Sequence, residues 1–325
     1  MFPFTFSRAT DESSALALAA RGGRYIAGGT TMVDLMRETV ERPSALIDIN
    51  ALSYRGIEVG AQGLRCGALV RMTDLAAHPQ VRAQFPVISE ALELSASAQL
   101  RNMASIGGNL LQRTRCTYFR DVTAPCNKRQ PGSGCGALQG TNRTHAILGG
   151  SDHCVATHPS DLAVALVALD ATVDLRSSRG ARSLPVAELF LRPGSTPDRE
   201  HPLLPGELIT SVRVPAGSYT ARSGYLKVRD RESYEFALAS AAVALDVRGG
   251  TIRAARVAAG GVGTVPWRLP AVERALIGRP PVATTWTAAA AVAADGARPL
   301  EENAFKVELL RRTIARQLSV IGEAK

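Results

Sequence analysis

What this sequence has little of narrows the field first. Aromatic residues fill only 5% of its 325 positions, and no run of Lys and Arg is interleaved with them. The stacking face and charged groove that nucleic acid requires are missing, so nucleic acid is not an expected partner. The net charge of +9 is dispersed along the chain, which suits anionic cofactors or acidic partner surfaces and equally an ordinary solvated surface. Long apolar runs are also missing. Leu162 to Leu169 is too short to span a bilayer, and the Ala-rich stretch near Ala288 to Ala294 ends at Asp295. Met1 to Phe6 lacks the positive region, apolar stretch and cleavage site of a secretory signal. Neither a membrane span nor an export signal on this chain is expected. Gly-x-Gly-x-x-Gly, the P-loop, Gly-x-Ser-x-Gly and His-Glu-x-x-His do not occur, which disfavours Rossmann, P-loop, esterase and zinc-protease chemistry. Five cysteines are too few to scaffold a chain of this length with disulfides.

What is present reads as a globular protein with material for two domains: 46% apolar and 21% charged residues and no low-complexity block. Short strands alternate with helices at first. Phe4 to Phe6 and Arg24 to Ala27 read as strands, with a helix over Asp11 to Ala20 capped by Thr10 between them. Ala45 to Ile49 is a further strand, and Ile57 to Val59 with Leu64 to Cys66 forms a hairpin. Thr73 caps Asp74 to Ala77, and the spacing predicts one helix over Phe85 to Ser97. Ser160-Asp161 then starts a helix to Leu169, followed by strands at Thr172 to Leu175 and Leu208 to Val214. A boundary is expected near Pro215 to Ser218. Beyond it come strands Gly224 to Arg229, Ala237 to Val247 and Thr251 to Ala259, and then helices near Leu269 to Ile277, Thr284 to Ala294 and Asn303 to Ile321. Strands followed by helices indicate a small α+β domain.

Three features carry chemistry. Gly28-Gly29-Thr30-Thr31 and Ser105-Ile106-Gly107-Gly108-Asn109 are glycine turns where a backbone can approach a phosphate with no Cβ in the way, though either turn equally serves to reverse the chain. Between Arg113 and His158 periodicity vanishes, and Cys116, Cys126, Cys135 and Cys154 follow one another with nine, eight and eighteen residues between them. A patternless segment of this length implies an external organiser such as a metal cluster. The spacing matches neither the tight pairs of zinc sites nor ferredoxin motifs, so a [4Fe-4S] cluster, a zinc site and unrelated thiols remain equally open on spacing alone. Arg113, Arg115, Arg120, Lys128, Arg129, Arg143 and His145 would suit an anionic cluster and are also ordinary in a surface loop. Cys66 reads as a buried small hydrophobe and the five histidines as structural.

In order, Ala27 to Thr31, Ala104 to Leu110, Ser160-Asp161-Leu162 and Gly224 to Arg229 resemble the FAD-binding subunits of the xanthine dehydrogenase and carbon monoxide dehydrogenase family, the molybdenum hydroxylases, over essentially the whole chain. The stretches Leu110 to Cys116, Pro125 to Arg129 and Gly132 to Cys135 further resemble the FAD subunits of bacterial periplasmic aldehyde oxidoreductases. The resemblance implies an α+β protein. Residues 1–217 would be a two-subdomain FAD-binding domain of the PCMH/vanillyl-alcohol-oxidase type, with the Cys-rich insertion at about 113–158. Residues 218–325 would be the small C-terminal α+β domain. It implies FAD held by Ala27, Gly28, Gly29, Thr30, Thr31, Met32 and Val33 at the pyrophosphate, and by Ser105, Gly108, Asn109, Gln112, Ser160, Asp161 and Leu208 along the cofactor. Lys227 would lie near the isoalloxazine, and a [4Fe-4S] cluster would sit on Cys116, Cys126, Cys135 and Cys154. Its partners would be a large molybdenum-cofactor subunit, a small [2Fe-2S] subunit and an external electron acceptor, with substrate oxidation on the large subunit.

The rival readings are a flavin subunit like that of 4-hydroxybenzoyl-CoA reductase or xanthine dehydrogenase, a stand-alone flavin oxidase, and a zinc-stabilised binding protein. The last predicts zinc and no flavin colour. The expected location is the periplasm, by export with a signal-bearing partner, or else the cytoplasm.

Overall fold

A computed structural model describes residues 1–323, which fold around three sheets. The first is parallel, in the order β1-β3-β2, from β1 (Thr5–Arg8), β2 (Arg24–Ile26) and β3 (Ala45–Asp48). The helix Glu12–Ala20 links β1 to β2, and its cap is Asp11 instead of Thr10. The Asp11 carboxylate accepts the Ser14 N–H at 2.8 Å, a charged acceptor that outcompetes the hydroxyl before it.

The second sheet is antiparallel, in the order β4-β5-β8-β6-β7. Its strands are β4 (Ile57–Gly60), β5 (Gly63–Gly67), β6 (Thr172–Ser177), β7 (Gly180–Pro185) and β8 (Leu208–Pro215). The largest core gathers Leu64 and Cys66 of β5, Val173 of β6, Val212 of β8, Phe85, Ile88 and Leu92. It also includes the helix Asp161–Ala168, which is buried at every position, as its all-round apolar surface requires. The helix expected over Phe85 to Ser97 is present but shorter, Pro86–Glu93, and a separate helix, Ala98–Met103, follows beyond the expected range. Ala96 takes φ 49° and breaks the path, and Ser97 caps the second piece by accepting the Leu100 N–H. The cap expected at Thr73 falls instead at Arg71, and the helix runs Met72–Ala77.

The chain leaves this sheet at Pro215 and enters the third at β9 (Ser223–Val228), followed by β10 (Ala239–Arg248), β11 (Thr251–Gly260) and β12 (Trp267–Arg268). This sheet is antiparallel in the order β12-β11-β10-β9. Gly249 and Gly250, at φ 57° and 67°, make the two-residue hairpin turn between β10 and β11. Helices Pro270–Leu276, Ala283–Ala291 and Phe305–Glu323 share a second core with it. Among the described residues no helix is long and apolar enough to cross a membrane.

The Cys-rich segment holds a one-turn helix, Thr117–Arg120, and a 3-10 turn, Gly136–Leu138. Its anchors are mostly polar. Arg113 pairs with Glu41 at 2.6 Å and Glu200 at 2.5 Å, Lys128 with Glu200 at 3.1 Å, and Arg120 with Asp34 and Glu38. Arg129 donates to the carbonyls of Tyr118 and Phe119. Phe119 itself is buried against Leu35 and Cys126. At the far end Lys306, fully buried, donates to the carbonyl oxygens of Thr144, His145 and Gly261 at 3.0, 2.9 and 2.7 Å. Burial, with Arg143 nearby, pushes its ammonium down to about 7.

Two outcomes are expected. Lys306→Met leaves three carbonyls without this donor at roughly 1–3 kcal/mol for each unsatisfied buried group, so urea unfolding should show a loss of more than about 2 kcal/mol; an unmoved midpoint would refute the clamp. His158, whose imidazole is pushed down to about 3 chiefly by burial, stays neutral in the fold while its unfolded counterpart protonates below about pH 6.5. The unfolded state therefore binds the extra proton, and stability falls with acidification. Between pH 7.5 and 4.5 this group alone should remove about 2 kcal/mol, and His158→Asn should flatten the urea-midpoint slope over that window.

Candidate functional site

The first glycine turn leaves β2 and enters the short helix Met32–Arg37. Gly29 has φ 72°, and a Cβ on Gly28 would lie 1.9 Å from the Met103 carbonyl oxygen. The turn is thus pressed directly against the segment that leads into the second turn, an approach open to glycine alone. Arg71 donates to the Met103 carbonyl and, at 3.1 Å, to the Asn50 side chain, while Asn50 Nδ2 donates to the Ala27 carbonyl at 2.9 Å. Two side chains outside any motif therefore tie the turns together. Among the described residues no protein acceptor takes the N–H groups of Gly28, Gly29, Thr30, Thr31 or Met32. Five successive donors at a helix start form an open cradle for an anion. Val33, next in the chain, is exposed.

The second turn is different. The N–H groups of Ile106, Gly107 and Asn109 donate to the carbonyls of Val70, Ala68 and Ser105, and that of Gly108 to Ser105 Oγ at 3.2 Å. Its amides 106 to 109 are committed inside the protein, so it does not present the amide cradle that its glycines suggest. What it positions is Asn109, whose Oδ1 accepts from Ser160 Oγ at 2.6 Å while that same Oγ caps the helix Asp161–Ala168. Gln112 bonds the Asn109 carbonyl at 3.0 Å.

Asp161 is a hub. Its carboxylate accepts from Lys227 Nζ at 2.8 Å, Tyr225 OH at 2.8 Å and Ser95 Oγ at 3.1 Å. Lys227 also donates to the Leu94 carbonyl at 3.1 Å, so its charge is balanced by Asp161. Burial, reinforced by Asp161, holds the Tyr225 phenol far above its ordinary range, so it is a donor at any working pH. Ser160, Asp161 and Tyr225 line a cavity of about 250 Å³ between the helix Asp161–Ala168 and the third sheet, together with Thr157, His158, Ser240 and Gly260. Arg115, Cys116 and His145 close its other side. Lys227 lies behind this wall, and Leu208 is in the apolar cluster of Ile47, Ile49 and Leu69.

The structure brings Cys116, Cys126, Cys135 and Cys154 to one small pocket, walled also by Phe119, Pro125, Asn127, Lys128 and His153. Cys126 and Cys135 pair through their backbones, and Asn127 locks that loop by exchanging bonds with Gly134. Burial pushes the Cys116 thiol up to about 12 and raises that of Cys154. The cysteines are unbonded to one another. Among the described residues no three His, Cys, Asp or Glu side chains converge on a single-ion site. The nearby cations Arg113, Arg120 and Arg129 are engaged by carboxylates or carbonyls, and so is Lys128 on the pocket wall, which pairs with Glu200 and donates to the Pro197 carbonyl. Cys66 is a core residue of β5, 1% exposed. Asn50 and Arg71 were not marked by any sequence signal, since neither belongs to a spacing pattern; Tyr225 was marked only as part of the Gly224 to Arg229 stretch, His145 only as one of several groups suited to an anionic cluster, and His158 only as structural.

Comparisons give this geometry its family. The profile of the FAD binding domain in molybdopterin dehydrogenase matches residues 2–217, and that of the CO dehydrogenase flavoprotein C-terminal domain matches residues 224–320. The aldehyde oxidoreductase FAD-binding subunit PaoB of Escherichia coli is 48% identical over 100% of this chain and 99% of its own length. The glyceraldehyde dehydrogenase medium chain of Sulfolobus acidocaldarius is 28% identical over 86% of this chain and 83% of its own. Among solved structures, carbon monoxide dehydrogenase of Hydrogenophaga pseudoflava aligns with a TM-score of 0.74 and 26% identity, covering 98% of this chain and 97% of that one. Quinoline 2-oxidoreductase of Pseudomonas putida 86 shares the fold at a TM-score of 0.77 and 22% identity, covering 99% and 98%. With the first profile spanning more than half of its length and a relative this similar from end to end, the chain belongs to the FAD-binding subunits of the molybdopterin dehydrogenase family.

Proposed function

We propose that this chain is the flavin-bearing electron-transfer subunit of a heteromeric molybdenum hydroxylase acting on aldehydes, and that its four clustered cysteines hold a [4Fe-4S] cluster beside the flavin. The observation that carries the flavin placement is the row of unpartnered N–H groups from Gly28 to Met32. A pyrophosphate offers the acceptors these donors lack, and the helix start behind them favours negative charge. Ser105, Gly108 and Asn109 shape the adjoining wall, and Ser160 and Asp161 carry it into the 250 Å³ cavity, which would take the ring end of the cofactor. When bound, FAD supplies a redox centre that takes electrons from a small [2Fe-2S] subunit, fed by the large molybdenum subunit, and yields them to an external acceptor. The chain's own work is to fix distance and orientation and to exclude water. Lys227, neutralised by Asp161, holds the hub in place and adds no net charge at the ring.

The cluster reading rests on the donor set. Four thiols ring a common pocket without closing on one point, an arrangement that suits a cubane, which has a separate iron for each thiolate, better than a single zinc ion. The aldehyde assignment follows the name of the 48% identical relative, and the compartment follows whichever partner carries an export signal.

Anaerobic purification of the full chain should yield flavin with about four irons and four sulfides per chain. Cys135→Ser should lose the iron and keep the flavin; zinc in place of iron would overturn the cluster. Gly28→Ala drives a methyl group into the Met103 carbonyl, so FAD affinity should fall at least about tenfold, corresponding to ~1.4 kcal/mol, with iron retained. Wild-type flavin affinity in that variant would remove the pyrophosphate from this turn.

A further inference from the structure

We propose that His145 donates a hydrogen bond to the sulfur of Cys116 and sets the reduction potential of the cluster at the corner that faces the flavin cavity; this rests on the cluster reading above. His145 Nε2 lies 3.2 Å from Cys116 Sγ, across 29 residues of sequence. The side chain is buried, and its other ring nitrogen, Nδ1, has no partner among the described residues and no solvent. A proton on Nδ1 would be stranded, whereas a proton on Nε2 points at sulfur, so the environment selects the Nε2–H tautomer. A thiolate bound to iron has no proton of its own and can only accept.

The backbone around this ring is fixed from several directions. The His145 N–H donates to the Asn142 carbonyl at 2.9 Å, and its own carbonyl accepts from Lys306 Nζ at 2.9 Å and Asn303 Nδ2 at 3.2 Å. Lys306 and Asn303 are both fully buried. Such a clamp around a residue in an irregular segment places the imidazole, and the imidazole in turn touches one sulfur.

That sulfur belongs to the cysteine that matters for communication. Of the four, Cys116 alone lines both the cysteine pocket and the 250 Å³ cavity, and His145 lines the cavity beside it. Reduction adds one electron to the cluster, and the added negative charge spreads onto the sulfurs. An N–H dipole aimed at sulfur stabilises the reduced form more than the oxidised one, so it raises the potential. His145 is therefore a positioning and tuning residue, not a ligand.

The test is a mediator titration of the full chain followed by electron paramagnetic resonance, with iron and sulfide assayed on each sample. His145→Leu, with wild-type iron and sulfide, should have a lower cluster potential, and His145→Gln, which keeps an N–H donor, should lie between it and wild type. Equal potentials in all three fully loaded proteins would overturn the proposal. To keep His145 itself unsubstituted, ¹⁵N-histidine-labelled His153→Gln protein with wild-type iron and sulfide, which removes the other histidine at the pocket wall, should show a histidine nitrogen coupled to the reduced cluster in pulsed resonance; no coupling would also overturn it. Wild-type protein without iron would instead bring down the cluster reading itself, and the metal assay separates that failure from the other two.

Discussion

The ion pair between Asp161 and Lys227 is the interaction on which the arrangement of both cores depends. Its side chains are 7% and 1% exposed. One partner starts the buried helix that completes the first core, and the other sits on β9 of the third sheet. Two charges so enclosed are tolerable only as a pair with their remaining valences filled, and here Tyr225, Ser95 and the Leu94 carbonyl fill them. Removing one partner from such a pair costs about 3–5 kcal/mol. The same network forms a wall of the cavity, so the contact that joins the two regions also shapes the space between them.

The two glycine turns illustrate how hydrogen-bond accounting separates residues that look alike. In the second turn nearly every donor is spent internally, and the turn acts as a rigid bracket that aims Asn109 at Ser160. In the first, five consecutive donors find no acceptor among the described residues. Buried or half-buried amides without partners are uncommon in folded proteins, and a row of them is a place prepared for an acceptor from outside. Gly28 permits the turns to touch, and Arg71 with Asn50 holds them there.

The Cys-rich segment obtains its order differently. With one buried aromatic and almost no regular structure, it cannot pack by apolar burial alone. Charge pairs through Arg113, Lys128 and Arg120 fix its first half, and the Lys306 ammonium gathers three carbonyls at its end. This brings cysteines that are far apart in sequence to one pocket and presses His145 against Cys116.

Much was legible from the chain itself. Strand positions followed from the apolar pattern at β5, β8, β10 and β11, because those strands bury one or both faces and the pattern records it. The hairpin at Gly249-Gly250 followed from turn chemistry, and the clustering of four cysteines was visible as spacing. The exposed β7, which buries none of its residues, left no such trace, and the break at Ala96 is a backbone choice no residue type announces. What only the tertiary structure decided is partnership. Whether a glycine's amide is open or spent, whether Lys227 is a free cation or half of a neutral pair, and which histidine meets which sulfur depend on groups tens to hundreds of residues away. A local pattern determines which face of an element turns inward; the hydrogen-bond partner waiting there is set by the fold.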